Sequence, residues 1–237
     1  MRDADKDLPQ KSSKTAIDAF VDRLRSTPAR KGRGQRGRLM FAMDATASRE
    51  PTWDRACRIQ GDMFSETAAL GGLDIQLCYY RGYGEFEASP WLSSAQALLE
   101  RMTGVSCRGG QTQIEKVLRQ AIDQHKSKRI QSLVFVGDCM EEDVDQLCQL
   151  AGQLGVLRLP VFLFHEGNDV SARRAFEEIA RLTRGAYCPF DASSAGQLRD
   201  LLSAVAVYAA GGQQALQDFT RDRSPALRQL TRQLEKR

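Results

Sequence analysis

Apolar and polar positions divide the chain into short runs of two kinds. Arg38-Leu39-Met40-Phe41-Ala42-Met43-Asp44 is an apolar run that stops on an aspartate. An apolar run this short, bounded by polar residues, reads as a strand buried on both faces, as in a parallel sheet. Leu73 to Tyr80, Gln131 to Gly137, Leu157 to Phe164 and Ala186 to Phe190 read as further strands. Glu85 to Ala88 reads as a short edge strand after a Gly82/Gly84 turn. Pro160 implies a place of reduced ladder bonding.

Helical periodicity fills the gaps. Trp53 to Leu70 is closed by Gly71-Gly72, and Ser93 or Ser94 caps a helix through Ala97, Leu98 and Met102. Thr112-Gln113-Ile114-Glu115 has the form of a capping box and opens a helix that turns Ile114, Val117, Leu118, Ala121 and Ile122 inward. Another helix starts near Glu141, Ser171 to Leu182 is a further one, and Ser194 to Ala209 ends at Gly211-Gly212. A short N-terminal helix opens at Thr15 with Ile17, Phe20, Val21 and Leu24 on one stripe, which must dock on its own domain or on a partner. The alternation predicts a doubly wound α/β fold. It divides the chain into an N-terminal extension with a basic linker (1–38), a central domain (39–210) and a basic helical tail (211–237) available to a partner.

The strand ends carry the candidate chemistry. Asp44, Thr46 and Ser48 fall in the loop leaving the first strand, where open α/β sheets place their ligand sites. A carboxylate and two hydroxyls are hard oxygen donors that suit Mg²⁺ or Mn²⁺ better than zinc. Thr112 follows Gly109-Gly110 at a helix start, and Asp138 leaves the strand ending at Gly137. Each has a plainer role open to it, Thr112 as an N-cap and Asp138 as a cap of the helix near Glu141. Glu141, Glu142 and Asp143 suit a helix N-terminus and make the rim acidic.

The ordered set Asp-x-Thr-x-Ser, then a threonine, then an aspartate after a strand resembles the metal-ion-dependent adhesion site of von Willebrand factor A (VWA) domains. The resemblance runs from about Leu39 to Tyr208. That family's first motif is usually Asp-x-Ser-x-Ser, so Thr46 departs from it, keeping the hydroxyl and adding a methyl group. The resemblance implies a mostly parallel, six-stranded sheet with one short antiparallel edge and helices on both faces. It also implies a divalent cation, Mg²⁺ or else Mn²⁺ or Ca²⁺, at the top. Thr46, Ser48 and Thr112 would be direct or near-direct ligands, and Asp44 and Asp138 would bind directly or through water. The implied function is a non-enzymatic adaptor that captures an aspartate or glutamate of a protein partner.

Two other readings arise from the residues. Asp44 could serve a Mg²⁺-dependent hydrolase or phosphotransferase, but no second aspartate follows two residues on and no Walker-type loop is present. Arg30, Lys31, Arg33, Arg36 and Arg38 could contact phosphates of nucleic acid, though no aromatic residues interleave to stack on bases. Gly32-Arg33-Gly34-Gln35-Arg36-Gly37 matches a dinucleotide fingerprint in letters only, because it precedes a strand instead of following one.

Composition adds limits. Hydrophobic content of 42% and charged content of 27% are ordinary for a globular protein. No apolar run approaches the about 20 residues that span a bilayer, and no secretory signal follows Met1-Arg2-Asp3. A cytoplasmic protein with no membrane partner is expected. The six cysteines, Cys57, Cys78, Cys107, Cys139, Cys148 and Cys188, are scattered and expected to be free thiols. Cys139 is the one beside the candidate site, yet without a nearby base it does not read as a nucleophile. His125 and His165 match no metal-ligand spacing and are expected in capping or surface roles.

Overall fold

The computed structural model describes residues 14–26, 36–50, 72–190 and 195–222. The strands are β1 (Gly37–Asp44), β2 (Leu73–Arg81), β3 (Glu85–Ala88), β4 (Ser132–Gly137), β5 (Val161–Glu166) and β6 (Ala186–Phe190). Among the described residues the helices are α1 (Lys14–Ser26), α2 (Ala95–Thr103), α3 (Ile114–Ser127), α4 (Val144–Val156), α5 (Val170–Thr183) and α6 (Ala195–Asp222), with a 3₁₀ turn at Ala47–Arg49. The strands form one sheet in the order β3-β2-β1-β4-β5-β6, parallel except for the antiparallel edge strand β3.

Every residue of β1 and β4 is buried, as a strand covered on both faces requires. Alternate side chains feed two cores. Leu39, Phe41, Met43, Val134, Val136, Phe162 and Phe164 face α1, α2 and α6. Met40, Ala42, Leu133, Phe135, Val161 and Leu163 face α3, α4 and α5. The sheet is therefore doubly wound.

The N-terminal stripe docks on its own domain. Phe20, Val21 and Leu24 are buried, and the Phe20 ring lies 5.2 Å from Phe164 and 5.8 Å from Phe162. Helix α1 packs on β6 and α6, and Arg23 Nε donates to the Gly185 carbonyl.

Several expectations need correction. The strand expected at Leu157–Phe164 begins only at Val161, because α4 runs on to Val156 and closes through Arg158 in the left-handed region (φ 58). Pro160 lies outside the strand, where its carbonyl accepts from Leu133 N–H. The helix after β4 is capped by Asp143, whose side chain accepts from Gln146 N–H, and not by Asp138. The last expected helix does stop at Gly211-Gly212, where Gly212 adopts φ 77 and ψ −164 outside the helical region, and a second helical segment of α6 follows to Asp222. Leu216 beyond the kink is buried and Phe219 packs on the core, so this part of the tail is held by the domain itself.

Arg36 and Arg38, expected in a basic linker, are bound to the domain. Arg36 pairs with Asp74 and donates to the Leu73 and Ser93 carbonyls. Arg38 is buried, donates to the Lys128 carbonyl, and lies 3.6 Å over the Trp91 ring. The expected helix Trp53–Leu70, the basic residues Arg30, Lys31 and Arg33, and the chain beyond Asp222 lie outside the described residues.

Candidate metal centre

In this strand order the chain leaves β1 towards β2 on one side and leaves β4 towards β5 on the other. The crevice above the carboxyl ends of β1 and β4 is the topological switch point, where such sheets bind ligands. Met43 pairs with Val136 and Gly137 with His165, so Asp44, Asp138 and Glu166 leave three adjacent strands at nearly the same height. Gly137 permits the approach. A Cβ there would meet the Phe135 ring at 2.8 Å and lie 3.7 Å from Asp44 Cβ.

Asp44 is fully buried. Its Oδ1 accepts from Thr46 N–H at 2.7 Å and its Oδ2 accepts from the Tyr80 hydroxyl at 3.1 Å. Burial pushes its carboxyl up to about 6, against the two hydrogen bonds from Thr46; Asp138 raises it further and Arg49 lowers it. Carboxylate oxygens of Asp44 and Asp138 and the sulfur of Cys139 all lie within 4.8 Å of one another. Asp138 Oδ1 is buried and accepts no hydrogen bond, a state costing on the order of 1–3 kcal/mol.

The hydroxyls are arranged differently. Thr46 is buried and Ser48 exposed, with their oxygens 3.0 Å apart. Thr112 Oγ1 accepts from Glu141 N–H at 2.9 Å and donates to Glu142 Oε2, while Thr112 N–H donates to Glu141 Oε2 at 3.0 Å. The structure thus brings Asp44 to Asp138 and Thr46 to Ser48, and commits Thr112 to the acidic loop before α4. The capping box read at Thr112 is not formed. Gln113 is the N-cap of α3 without a side-chain cap bond, and Glu142 Oε1 accepts from Ile114 N–H instead. Glu142→Ala is expected to cost about 1–2 kcal/mol by urea denaturation, because it orphans Ile114 N–H and the Thr112 hydroxyl together. An unchanged midpoint would mean that water replaces the carboxylate.

The Thr112 loop is fixed beside Asp44 by main-chain bonds. Arg108 N–H donates to the Ala45 carbonyl, Ala45 N–H to Tyr80, and Gln111 N–H to Gly82. Gly110 lies so close to Gly82 that a Cβ would overlap the Gly82 carbonyl.

Sequence reasoning did not find Tyr80, Arg49 or Glu166, and it placed Cys139 beside the site without giving it a role there. Tyr80 holds Asp44, and burial raises its hydroxyl pKa well above the usual range. Arg49 is 2% exposed and pairs with Glu166. Burial lowers its pKa, while Asp138 and Asp44 oppose the shift. Cys139 joins the carboxylates, and burial pushes its thiol up to about 12, with Asp138 and Asp44 adding to the effect. Glu166, at a strand end like the two aspartates, was the participant most open to discovery by that signal. His165 is buried, not at the surface, and bonds the Tyr187 hydroxyl and the Asp138 carbonyl. His125, in the last turn of α3, accepts from Ile130 N–H beyond the helix. Among the described residues Cys78, Cys107, Cys139, Cys148 and Cys188 are thiols outside any disulfide; Cys57 lies outside the described residues.

No protein-family model and no curated protein matches the chain. Solved structures do. The von Willebrand factor type A structure from Catenulispora acidiphila is similar over 73% of this chain and 43% of that chain, with a TM-score of 0.57 and 14% identity. The SpRpn10 VWA domain is similar over 81% of this chain and 97% of its own, at 0.55 and 14%. The human COPII-coat protein Sec24c is similar over 81% and 34%, at 0.54 and 13%. The chain spans less than half the length of the Catenulispora and Sec24c chains. At these identities the likeness defines the fold, which is that of a VWA domain.

Proposed function

We propose that the chain is a metal-dependent protein-interaction module of adaptor type. It captures an aspartate or glutamate of a protein partner through a divalent cation at the ends of β1 and β4. The observation that carries this reading is the Asp44–Asp138 pair, two carboxylates drawn together at the switch point with Asp138 Oδ1 buried and unbonded. A divalent cation relieves both their repulsion and the orphaned oxygen. Asp44 and Asp138 would hold it, with hydroxyl oxygen from Thr46, Ser48 and, once released by Glu142, Thr112. With these oxygens alone the ion is Mg²⁺, or else Mn²⁺ or Ca²⁺. Two carboxylates beside the Arg49 guanidinium leave the ion short of negative charge, which a partner carboxylate supplies. VWA-type folds often serve as interaction modules, and that supports the same reading.

The hydrolase reading is weaker, because Asp44 is fully buried and held by Tyr80 and Thr46, a poor position for attack on a substrate. The nucleic-acid reading loses Arg36 and Arg38 to contacts within the domain. No described helix is long and apolar enough to cross a membrane, and a cytoplasmic location remains part of this proposal.

Titration of the full chain with Mn²⁺, followed by electron paramagnetic resonance, tests the centre. Acetate then serves as the carboxylate probe. Saturable Mn²⁺ binding is expected, with faster relaxation of the acetate methyl protons in its presence, and Asp138→Asn is expected to abolish both. Absence of Mn²⁺ binding at millimolar concentration would overturn the reading. Binding without an acetate effect would remove the carboxylate-capture step.

A further inference from the structure

We propose that Cys139 is a ligand of the Asp44–Asp138 centre, and that its sulfur fits the site to borderline-soft divalent cations of the Zn²⁺ and Co²⁺ class in preference to Mg²⁺. The inference rests on the reading that this centre binds a divalent cation.

Three geometric facts support it. The ligand atoms of Asp44, Asp138 and Cys139 lie within 4.8 Å of one another. Ligands of a tetrahedral ion with bonds of 2.0–2.3 Å are about 3.5 Å apart, so small side-chain rotations close the set. Asp138 and Cys139 are consecutive, and in a continuing strand they would face opposite ways. The chain leaves β4 at Gly137, and the bend at Asp138 lets both reach Asp44.

The hydroxyl donors of a hard-ion shell already carry hydrogen bonds that an ion would have to share or displace. Thr46 and Ser48 bond each other, and the Thr112 oxygen both donates and accepts. Among the carboxylate, thiol and imidazole groups of the described residues, the ligand atoms that converge are two carboxylates and one sulfur. Asp138 Oδ1, buried and without a hydrogen bond, is the lone pair left for an ion.

Charge points the same way. Arg49 pairs with Glu166 and lies in the field of Asp138 and Asp44, so it offsets part of the negative charge of the cluster. Mg²⁺ is held almost wholly by that charge and gives up its waters reluctantly. Zn²⁺ and Co²⁺ gain a directional bond to sulfur and tolerate the lower charge. His165 braces the set from below by bonding the Asp138 carbonyl at 3.2 Å, the kind of outer support that holds ligands in place.

The test is titration of the full chain with Co²⁺ under reducing, oxygen-free conditions, with Zn²⁺ affinity taken from competition with a chromophoric chelator. The expected result is a near-ultraviolet sulfur-to-cobalt charge-transfer band in the wild type that Cys139→Ser lacks. Zn²⁺ affinity is expected to fall at least about tenfold in that variant, since loss of an outer-shell partner alone costs that much, while Mn²⁺ binding changes little. If Cys139→Ser does not fold, ¹¹³Cd resonance on the wild type reports sulfur ligation by its chemical shift. Co²⁺ spectra that are the same with and without Cys139, or a cadmium shift typical of oxygen ligands alone, would overturn the role of Cys139 and leave the divalent-cation reading standing. Failure of Co²⁺, Zn²⁺ and Mn²⁺ alike to bind would remove both.

Discussion

Arg49→Met is expected to destabilise the metal-free protein by about 3–5 kcal/mol, the cost of breaking a buried ion pair from one side. Arg49 is 2% exposed, directly ion-paired with Glu166, and close enough to Asp138 and Asp44 for both to hold it charged against burial. Methionine fills most of the volume, so the loss reports charge and not a cavity. What remains of the described cluster is three carboxylates at the ends of β1, β4 and β5 without the guanidinium. A divalent ion then has more to offset, and the rise in melting temperature at saturating Mn²⁺ is expected to exceed that of the wild type. Arg49→Lys keeps the charge but loses the planar fork, and an intermediate value is expected. Urea denaturation in EDTA and in Mn²⁺ gives these numbers. A metal-free loss below about 1 kcal/mol, the worth of an exposed pair, would show that the guanidinium does not neutralise the cluster.

The elements legible in the sequence were those whose signal is local. Burial on both faces makes β1 and β4 continuous apolar runs, and the stripe Ile114, Val117, Leu118, Ala121 and Ile122 has the helical period. Boundaries failed where a main-chain conformation or a distant partner decided them. Arg158 adopts a left-handed turn that glycine would have advertised, so the start of β5 was misplaced. Gly212, by contrast, stops the regular helix as its residue type announces, and what the sequence did not show is that Leu216 in the segment beyond it is buried on the domain. The same division holds at the site. Asp44 and Asp138 were visible because each ends an apolar strand. Tyr80 reads only as a strand residue until the β1–β2 pairing sets it opposite Asp44. The capping-box letters at Thr112 were present, but Glu142, 30 residues away, bonds that hydroxyl. Arg49 gave no signal at all, because nothing in its neighbours announces a buried guanidinium.

Asp44→Asn is expected to stabilise the metal-free protein at pH 7 and to remove its response to metal. The folded state raises the Asp44 carboxyl from 3.8 to about 6, chiefly by burial. A raised carboxyl pKa means that the folded state binds the proton more tightly than the unfolded chain. Stability therefore falls as pH rises from about 4 to about 6 and levels off above that, where both states are ionised. The full cost at pH 7 is on the order of 3 kcal/mol. Asparagine carries no charge to desolvate, and its Oδ1 can still accept from Thr46 N–H. In EDTA the variant is expected to exceed the wild type at pH 7 and to match it near pH 4. Saturating Mn²⁺ is expected to reverse the order, because only the wild type gains RT ln(1 + [L]/Kd) from the ion. Urea midpoints at the two pH values, with and without Mn²⁺, decide the matter. A variant less stable than the wild type at pH 7 in EDTA would mean that Arg49 over-compensates the carboxylate, and that the ionised Asp44 supports the fold before any metal arrives.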